Sequence, residues 1–178
     1  MNDQMIPANL DPASNQFKAI VEGLLQRIEP GVYGTKLSDA IMRLWPTPAF
    51  EAMVFRQKTG IPEIYMCRRA LDDTAYPGEW HAPGKLHHPG EQDGNVANRL
   101  EDEFGVRFER FELVGKEITN EARGTVHSMI FLVQLAGDPH IDDRHDWFPV
   151  NDLPQITVDV HRNLIIPAAS QVYWQRYY

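Results

Sequence analysis

The sequence predicts an α/β or α+β fold, in which helices flank a mixed β-sheet and a helical extension precedes it. Three features support this prediction. Apolar residues follow helical spacing before residue 46, strand-like segments begin at Ala49, and a helical pattern returns from about Thr157. Strands bury one side chain in two and helices bury a stripe, so the change of period marks the change of element. Helices that cover the faces of such a sheet form a layered sandwich.

Two helices are predicted in the N-terminal extension. Apolar residues between Phe17 and Ile28 follow i, i+3, i+4 spacing, and Ser14 or Asn15 can cap the helix. A second short helix is predicted from about Lys36 to Trp45, with Leu37, Ile41 and Leu44 on one face, and is stopped by Pro46. This extension could cover the sheet, cap a pocket or form a dimer contact.

The central part of the chain is predicted to be mostly strands. The predicted strands are Ala49–Gln57, Glu63–Arg69, Val106–Val114 and Val126–Leu135. The first two form a hairpin around Lys58-Thr59-Gly60, and the last is apolar enough for a sheet buried on both faces. A helix is predicted from about Asn95 to Phe104, ending at Gly105 in the left-handed C-cap conformation. In the C-terminal helical region, Pro167 is expected to kink or divide the helix.

Composition and charge narrow the classes of partner. The 178 residues carry a formal net charge of -8, which argues against binding to nucleic-acid polymers or membrane surfaces, because both attract positive charge. No apolar run approaches the roughly twenty residues that cross a bilayer, and no secretory signal pattern is present. Cys67 is the single cysteine, so no internal disulfide can form and we expect a cytoplasmic location.

The stretch from Trp80 to Val106 carries the residues best suited to chemistry. A Pro83-Gly84 turn and a loop precede the predicted helix, on which Asp102 and Glu103 share a face with residue 99. Adjacent carboxylates can bind a hard cation such as Mg²⁺ through oxygen. Such a cation bridges phosphate oxygens and lowers the pKa of a bound water, which favours hydrolysis of a phosphoanhydride. The plain alternative is a solvated helix face.

This stretch resembles a Nudix box, whose pattern is G-x5-E-x7-R-E-U-x-E-E-x-G-U with U a bulky apolar residue. Gly90-Glu91 resembles its internal Gly-Glu, and its second half is matched by Leu100, Asp102, Glu103, Gly105 and Val106. The hairpin before it and the Trp147-Phe148-Pro149 and Leu153-Pro154 elements after it resemble the family's flanks. The resemblance implies a Nudix-like α/β/α sandwich with a mixed sheet over residues 49–178, preceded by an extension over residues 1–48.

The box departs from the pattern at three positions. Lys85 stands where the first glycine is expected, Asn98 replaces the arginine, and Arg99 replaces the first helix glutamate, which in the family is a metal ligand. Two like unit charges about 4 Å apart repel by about 4 kcal/mol at an effective dielectric near 20. Arg99 must therefore point away from a metal, contact phosphate in its place, or leave the site poor in metal.

The resemblance implies a hydrolase, dependent on Mg²⁺ or Mn²⁺, that cleaves a nucleoside diphosphate linked to another group. Asp102 and Glu103 would bind the metal, the carbonyl of Gly84 would complete its coordination, and Glu91 would join the two carboxylates as a catalytic residue. Lys85 and Arg99 would bind the substrate by neutralising its phosphate charge. A small nucleotide diphosphate is thus the expected partner, and dimers, common in the family, are allowed.

Two other functions stay open. Asn98 and Arg99 favour a Nudix-like module that binds a nucleotide or a protein partner without catalysis. Isoprenoid diphosphate isomerases share the architecture but need a suitably placed cysteine, and Cys67 precedes the box. The His87-His88 pair is interpreted as a substrate contact or an exposed pair. The cluster of His and Asp residues from His140 to Asp146 is interpreted as a solvated loop that could also supply a general base or an extra ligand.

Overall fold

A computed structural model describes residues 10–27, 35–58 and 60–177 of the chain. It divides into two compact units between residues 32 and 33, and each is described by itself. The first contains helix α1 (Asn15–Leu25), whose predicted N-cap is confirmed as Ser14, because the Ser14 hydroxyl accepts a hydrogen bond from the backbone N–H of Phe17. The predicted last apolar position, Ile28, lies outside the described residues.

The second unit begins with helix α2 (Thr35–Leu44), which packs on the strands that follow it. Met42 is buried in a cluster with Ala49 and Val126, whereas Leu44 is 79% exposed. The apolar stripe predicted for this helix therefore differs from the face that is buried. The domain boundary at residue 48 stays a prediction.

The strands of the second unit form two four-stranded sheets. They are β1 (Thr47–Met53), β2 (Phe55–Gln57), β3 (Pro62–Arg68), β4 (Trp80–His81), β5 (Gly84–Leu86), β6 (Phe108–Glu121), β7 (Gly124–Leu135) and β8 (His145–Pro149). The first sheet has the order β5-β1-β7-β6 and is mixed, because β1 and β7 are parallel while the other neighbours are antiparallel. The second sheet has the order β2-β3-β4, with β8 on the other side of β3.

The chain passes from one sheet to the other at three places, after β1, after β4 and after β7. The sequence predicted one strand from Ala49 to Gln57, but the structure divides it at Val54, so that β1 joins the first sheet and β2 forms the hairpin with β3. Similarly, β4 pairs with β3 and β5 pairs with β1. The link through Ala82 and Pro83 therefore joins the two sheets.

Two helices cover the sheets. Helix α3 (Asp93–Phe104) buries Val96, Ala97, Leu100 and Phe104 in a core that includes aromatic residues of β1, β3 and β7. It ends at Gly105 with φ 68°, which confirms the predicted left-handed C-cap. Helix α4 (Ile166–Tyr177) belongs to a second core with side chains of β1, β3 and β7. The predicted α/β sandwich with a mixed sheet is thus confirmed.

The C-terminal helical region changes its winding before Pro167. A π-helical segment spans His161–Ile165, and the backbone N–H of Ile166 donates to the carbonyl of His161. Proline has no N–H to donate to the preceding turn, and the wider turn absorbs the irregularity, so the chain stays helical on both sides. Within the part of the chain that the structure describes, no helix is long and apolar enough to cross a membrane.

Candidate active site

The Pro83-Gly84 corner packs directly against the middle of β1. The carbonyl of Pro83 accepts a hydrogen bond of 2.8 Å from the N–H of Ala52, and Gly84 is the register partner of Glu51. A Cβ atom added at Gly84 would lie 2.5 Å from Oε2 of Glu51 and 3.0 Å from the carbonyl oxygen of Phe50. The Glu51 carboxyl therefore occupies the space that any larger residue at position 84 would need.

Lys85 and Glu103 meet beside this corner. The Nζ atom of Lys85 lies 2.6 Å from Oε2 of Glu103, an ion pair whose angles fall outside hydrogen-bond geometry. The thiol of Cys67 lies 3.7 Å from Oε1 of the same carboxylate. Asp102, the adjacent carboxylate on α3, is exposed. The structure thus brings together three of the predicted residues, Gly84, Lys85 and Glu103.

Arg99 is engaged with Glu91, the predicted first glutamate of the box. Its Nε lies 2.9 Å from Oε1 and its Nη2 lies 2.7 Å from Oε2 of Glu91. The Nη2 group also donates to the carbonyl of Leu86, and the N–H of His88 donates to Glu91. The hydrogen bonds from Arg99 lower the pKa of Glu91. This pair ties the loop after β5 to helix α3.

A pocket of about 220 Å³ opens on the β1 side of the corner. Its polar lining comprises Glu51, Arg69, Tyr76, His81, Lys85, Glu121, Arg123 and His161. Of these eight, only Lys85 was predicted as a site residue. The others come from segments far apart in the sequence: strands β1 and β4, the loop after β3, the β6–β7 hairpin, and the C-terminal helical region.

The carboxyl of Glu51 lies at the base of this pocket and is 7% exposed. Burial raises its pKa to about 8, and the charge of Glu121 adds to the shift, while Arg69 and a hydrogen bond of 3.3 Å from the hydroxyl of Ser128 oppose it. Glu51 is therefore mainly protonated at neutral pH.

Both histidines of the pocket are neutral at neutral pH. Burial lowers the pKa of His161 to about 3 and that of His81 well below its usual value, and the charge of Arg69 adds to both shifts. The Nδ1 atom of His161 accepts a hydrogen bond from the N–H of Ala82, so the ring proton is on Nε2. This Nε2 lies 4.0 Å from Oε2 of Glu51.

Buried polar groups continue from the pocket to the box helix. The rings of His161 and His81 lie edge to face with centroids 5.7 Å apart, and Nε2 of His81 is 3.2 Å from the sulfur of Cys67, which in turn contacts Glu103. Cys67 is thus next to a box carboxylate although it lies far before the box in the sequence. Burial raises the pKa of its thiol well above the usual value, so Cys67 is a neutral thiol and not a nucleophilic thiolate.

Two arginines at the pocket are held by Asp73. A carboxylate oxygen of Asp73 lies 3.3 Å from Arg69, and both oxygens contact Arg123 at 2.5 Å. Although burial opposes it, the hydrogen bonds from Arg123 and from the N–H groups of the following loop hold the pKa of Asp73 well below its usual range. The ring of Tyr76 lies 5.6 Å from one guanidinium and 5.8 Å from the other. Both cations are therefore fixed in place before a ligand binds.

The missed residues left weak signals in the sequence. Glu51 is the one charged residue in the apolar run from Ala49 to Val54, and such a buried carboxyl must be paired or protonated. His161 follows the apolar Val160, and Leu164 and Ile165 come three and four residues later, the spacing of one helix face. Arg69 and Arg123 gave no comparable signal, because their shared partner Asp73 is 50 residues away from Arg123.

Comparison with solved structures identifies the fold. A MutT Nudix hydrolase from Burkholderia pseudomallei superposes with a TM-score of 0.55 and 24% identity over 72% of this chain and 98% of its own. An Ap4A hydrolase from C. elegans superposes with a TM-score of 0.56 and 14% identity, over 72% of this chain and 98% of its own. NrtR from Shewanella oneidensis, complexed with a 27mer DNA, superposes with a TM-score of 0.54 and 17% identity, over 71% of this chain and 62% of its own. No family model and no curated protein matches the sequence.

At these identities the likeness shows the fold and leaves the activity open. The chain has the Nudix fold, as its box and flanking elements predicted.

Proposed function

We propose that this protein is a Nudix-type hydrolase that cleaves a small diphosphate, such as a nucleoside diphosphate linked to another group. The observation that carries the proposal is the cationic pocket at the Gly84 corner, lined by Arg69, Lys85 and Arg123. With Glu51 protonated and the histidines neutral, these three cations are balanced by three carboxylates, Glu121, Asp73 and Glu103, of which Glu121 lines the pocket. Guanidinium and ammonium groups gathered in one pocket can exchange their carboxylate partners for the oxygens of a compact anion.

In this proposal a single divalent cation, Mg²⁺ or Mn²⁺, would bind at the corner. Asp102 and Glu103 would hold it together with the carbonyl of Gly84, a set of hard oxygen donors. The side chain of Lys85 is 38% exposed, so its ammonium has room to leave Glu103 for a phosphate oxygen. The bound cation would supply Lewis acidity and lower the pKa of a coordinated water.

The chain's own residues have separate tasks in this proposal. Arg69, Lys85 and Arg123 bind phosphate oxygens as charge-assisted hydrogen-bond donors. Glu51, with a pKa of about 8, exchanges a proton near neutral pH at the base of the pocket. Glu91 assists indirectly, because its ion pair with Arg99 positions the loop in front of α3.

Hydrolysis of a panel of nucleoside diphosphate derivatives with Mg²⁺ or Mn²⁺ tests the proposal. We expect turnover of at least one member, and we expect Glu103→Gln to lower kcat/KM roughly 100-fold, as loss of a metal-site group does. Asp93→Asn is the control, since Asp93 is a carboxylate in the first turn of the same helix. The proposal is rejected if no member is cleaved, or if Glu103→Gln and Asp93→Asn behave alike.

A second candidate is binding of the same ligand without hydrolysis. Two ion pairs favour it: Lys85 with Glu103, and Arg99 with Glu91, so that two of the three box carboxylates are neutralised by the chain's own cations. Titration calorimetry separates the two candidates. Ligand binding that is unaffected by a chelator and yields no product would favour the non-catalytic binding module. Arg99→Glu adds a further test: a large gain in metal-dependent activity would mean that the natural site is deficient in metal.

A small molecule, and not a nucleic-acid polymer, is the ligand we propose. NrtR is complexed with DNA, but the net charge of -8 of this chain opposes attraction to a polyanion. Homodimer formation and a cytoplasmic location stay predictions.

A further inference from the structure

The loop between β7 and β8 brings three metal-binding side chains together. The Nε2 atom of His140 lies 3.0 Å from Nδ1 of His145, which lies 2.7 Å from Oδ1 of Asp142. The Oδ2 atom of Asp142 is 3.8 Å from Nε2 of His140. Among the residues the structure describes, this is the one group of three His, Cys, Asp or Glu ligand atoms that all lie within 4.8 Å of one another.

These separations match those between neighbouring ligands of a tetrahedral ion. Ligand atoms placed about 2.1 Å from such an ion lie about 3.4 Å from each other. The three distances, 3.0, 2.7 and 3.8 Å, fall on both sides of that value, and Asp142 offers a different oxygen to each histidine. One ligand atom from each of the three residues can be chosen so that all three lie within 4.8 Å of one another, and rotation of the side chains would bring them around one ion.

The single proton on Nδ1 of His145 cannot form two linear hydrogen bonds, one to Asp142 and one to His140. The Nδ1 atom of His145 carries at most one proton, and at 2.7 Å that proton goes to the carboxylate of Asp142. The Nε2 atom of His140, 3.0 Å from the same Nδ1, then faces a group that has no lone pair to accept its proton. If His140 is unprotonated at Nε2, its lone pair converges with those of Asp142. A shared cation satisfies all three groups at once.

The loop is held in this conformation by contacts that do not involve a metal. The hydroxyl of Tyr65 donates to the carbonyl of His140 at 2.8 Å, and the N–H of His140 donates to the carbonyl of Phe104 at 3.2 Å. Across the turn, the N–H of Asp142 donates to the carbonyl of His145 at 3.1 Å. The ligands are therefore preorganised, which lowers the entropy cost of binding an ion.

The surroundings favour a positive charge. His140 lies at the C-terminal end of α3, where it bonds to the carbonyl of Phe104, and helix C-termini carry partial negative charge. Two further carboxylates, Asp143 and Asp146, flank the ligands in the sequence, while the guanidinium of Arg144 is turned to the carbonyl of Arg68.

We propose that His140, Asp142 and His145 form a binding site for one divalent transition-metal ion of the Zn²⁺, Co²⁺ or Ni²⁺ class. Two imidazole nitrogens and one carboxylate oxygen suit these ions, whereas Mg²⁺ prefers oxygen donors alone. The side chains of His140 and Asp142 are 41% and 46% exposed, so water completes the coordination. This site is separate from the metal site proposed at the box, because none of its ligands is among Gly84, Asp102 and Glu103.

Titration calorimetry of the full chain, produced without a polyhistidine tag and stripped with a chelator, tests this site. Zn²⁺ is added in the presence of excess Mg²⁺, which occupies oxygen-donor sites such as that of the box. We expect one Zn²⁺ per chain, and we expect His140→Gln and His145→Gln each to weaken binding at least about tenfold. The control His127→Gln, at a half-buried histidine on β7, should bind like the natural protein.

A second measurement does not depend on the folding of a variant. Co²⁺ bound to the natural protein should give the strong visible absorption of a four-coordinate ion at one equivalent, and Zn²⁺ should abolish it. Absence of saturable binding below about 100 μM Zn²⁺, which corresponds to about 5.5 kcal/mol, overturns the proposal. So does a folded His140→Gln variant that binds Zn²⁺ as tightly as His127→Gln. Loss of Mg²⁺-dependent hydrolysis would leave this result unaffected, because the two sites share no residue.

Discussion

Replacing Glu51 by glutamine tests whether the pocket holds a buried, protonated carboxyl. The folded protein raises the pKa of Glu51 from 4.5 to about 8, so the folded state binds this proton more tightly than the unfolded chain does. The carboxyl therefore costs nothing below about pH 4.5. As pH rises from about 4.5 to about 8, the unfolded chain loses this proton while the folded protein keeps it, so the free energy of unfolding falls by about 1.4 kcal/mol per pH unit. The total loss is on the order of 5 kcal/mol above pH 8.

The measurement is denaturant unfolding of the natural protein and Glu51→Gln at pH 5, 7 and 9. Glutamine has nearly the shape of the neutral carboxyl and cannot ionise, so the free energy of unfolding of the variant should be within about 1 kcal/mol of that of the natural protein at pH 5 and exceed it by several kcal/mol at pH 9. Glu109→Gln, at an exposed position of β6, is the control and should show no such change. If the difference between natural protein and Glu51→Gln is the same at pH 5 and pH 9, Glu51 is not a buried acid with a raised pKa.

Two further substitutions probe the corner and the box. Gly84→Ala places a Cβ 2.5 Å from Oε2 of Glu51, and we expect a loss of about 2 kcal/mol in thermal or denaturant unfolding. Gly94→Ala, on α3 with no atom within 4 Å of the new Cβ, should instead raise the free energy of unfolding by about 0.5 kcal/mol. Equal effects of the two substitutions would contradict the packing argument. Arg99→Lys keeps the charge but loses the two-pronged contact with Glu91, so we expect a loss of about 1 kcal/mol at neutral pH. Because the pair lowers the pKa of Glu91, its contribution is present above the usual carboxyl pKa and lost as pH falls; a loss that does not depend on pH would exclude the ion pair as its cause.

Local elements were predicted well where one periodicity or one special conformation decides them. Helix α3 begins two residues before the predicted Asn95, and it ends at Gly105 in the expected left-handed conformation. Strand β7 begins at Gly124, close to the predicted Val126. These features depend on neighbours along the chain, whose spacing the sequence displays directly.

The division of the Ala49–Gln57 segment could not be read from the same pattern. Residues Ala49 to Met53 are all buried, so their side chains show no alternation to mark a change of sheet. The division at Val54 depends on which strands lie beside each half, β7 for one and β3 for the other. Strand partners of this kind are far away in the chain and leave no local mark.

The charged residues of the site show the same contrast most clearly. From the order of residues alone came the class of fold, the corner at Gly84, the carboxylates at 102 and 103, and the conflict created by Arg99. Packing then paired Arg99 with Glu91 and Lys85 with Glu103, and it enclosed Glu51 until its pKa rose to about 8. The reason is physical: backbone geometry repeats over a few residues and marks the sequence, whereas the interaction of charges depends on distance and dielectric surroundings, which exist only once the chain is folded.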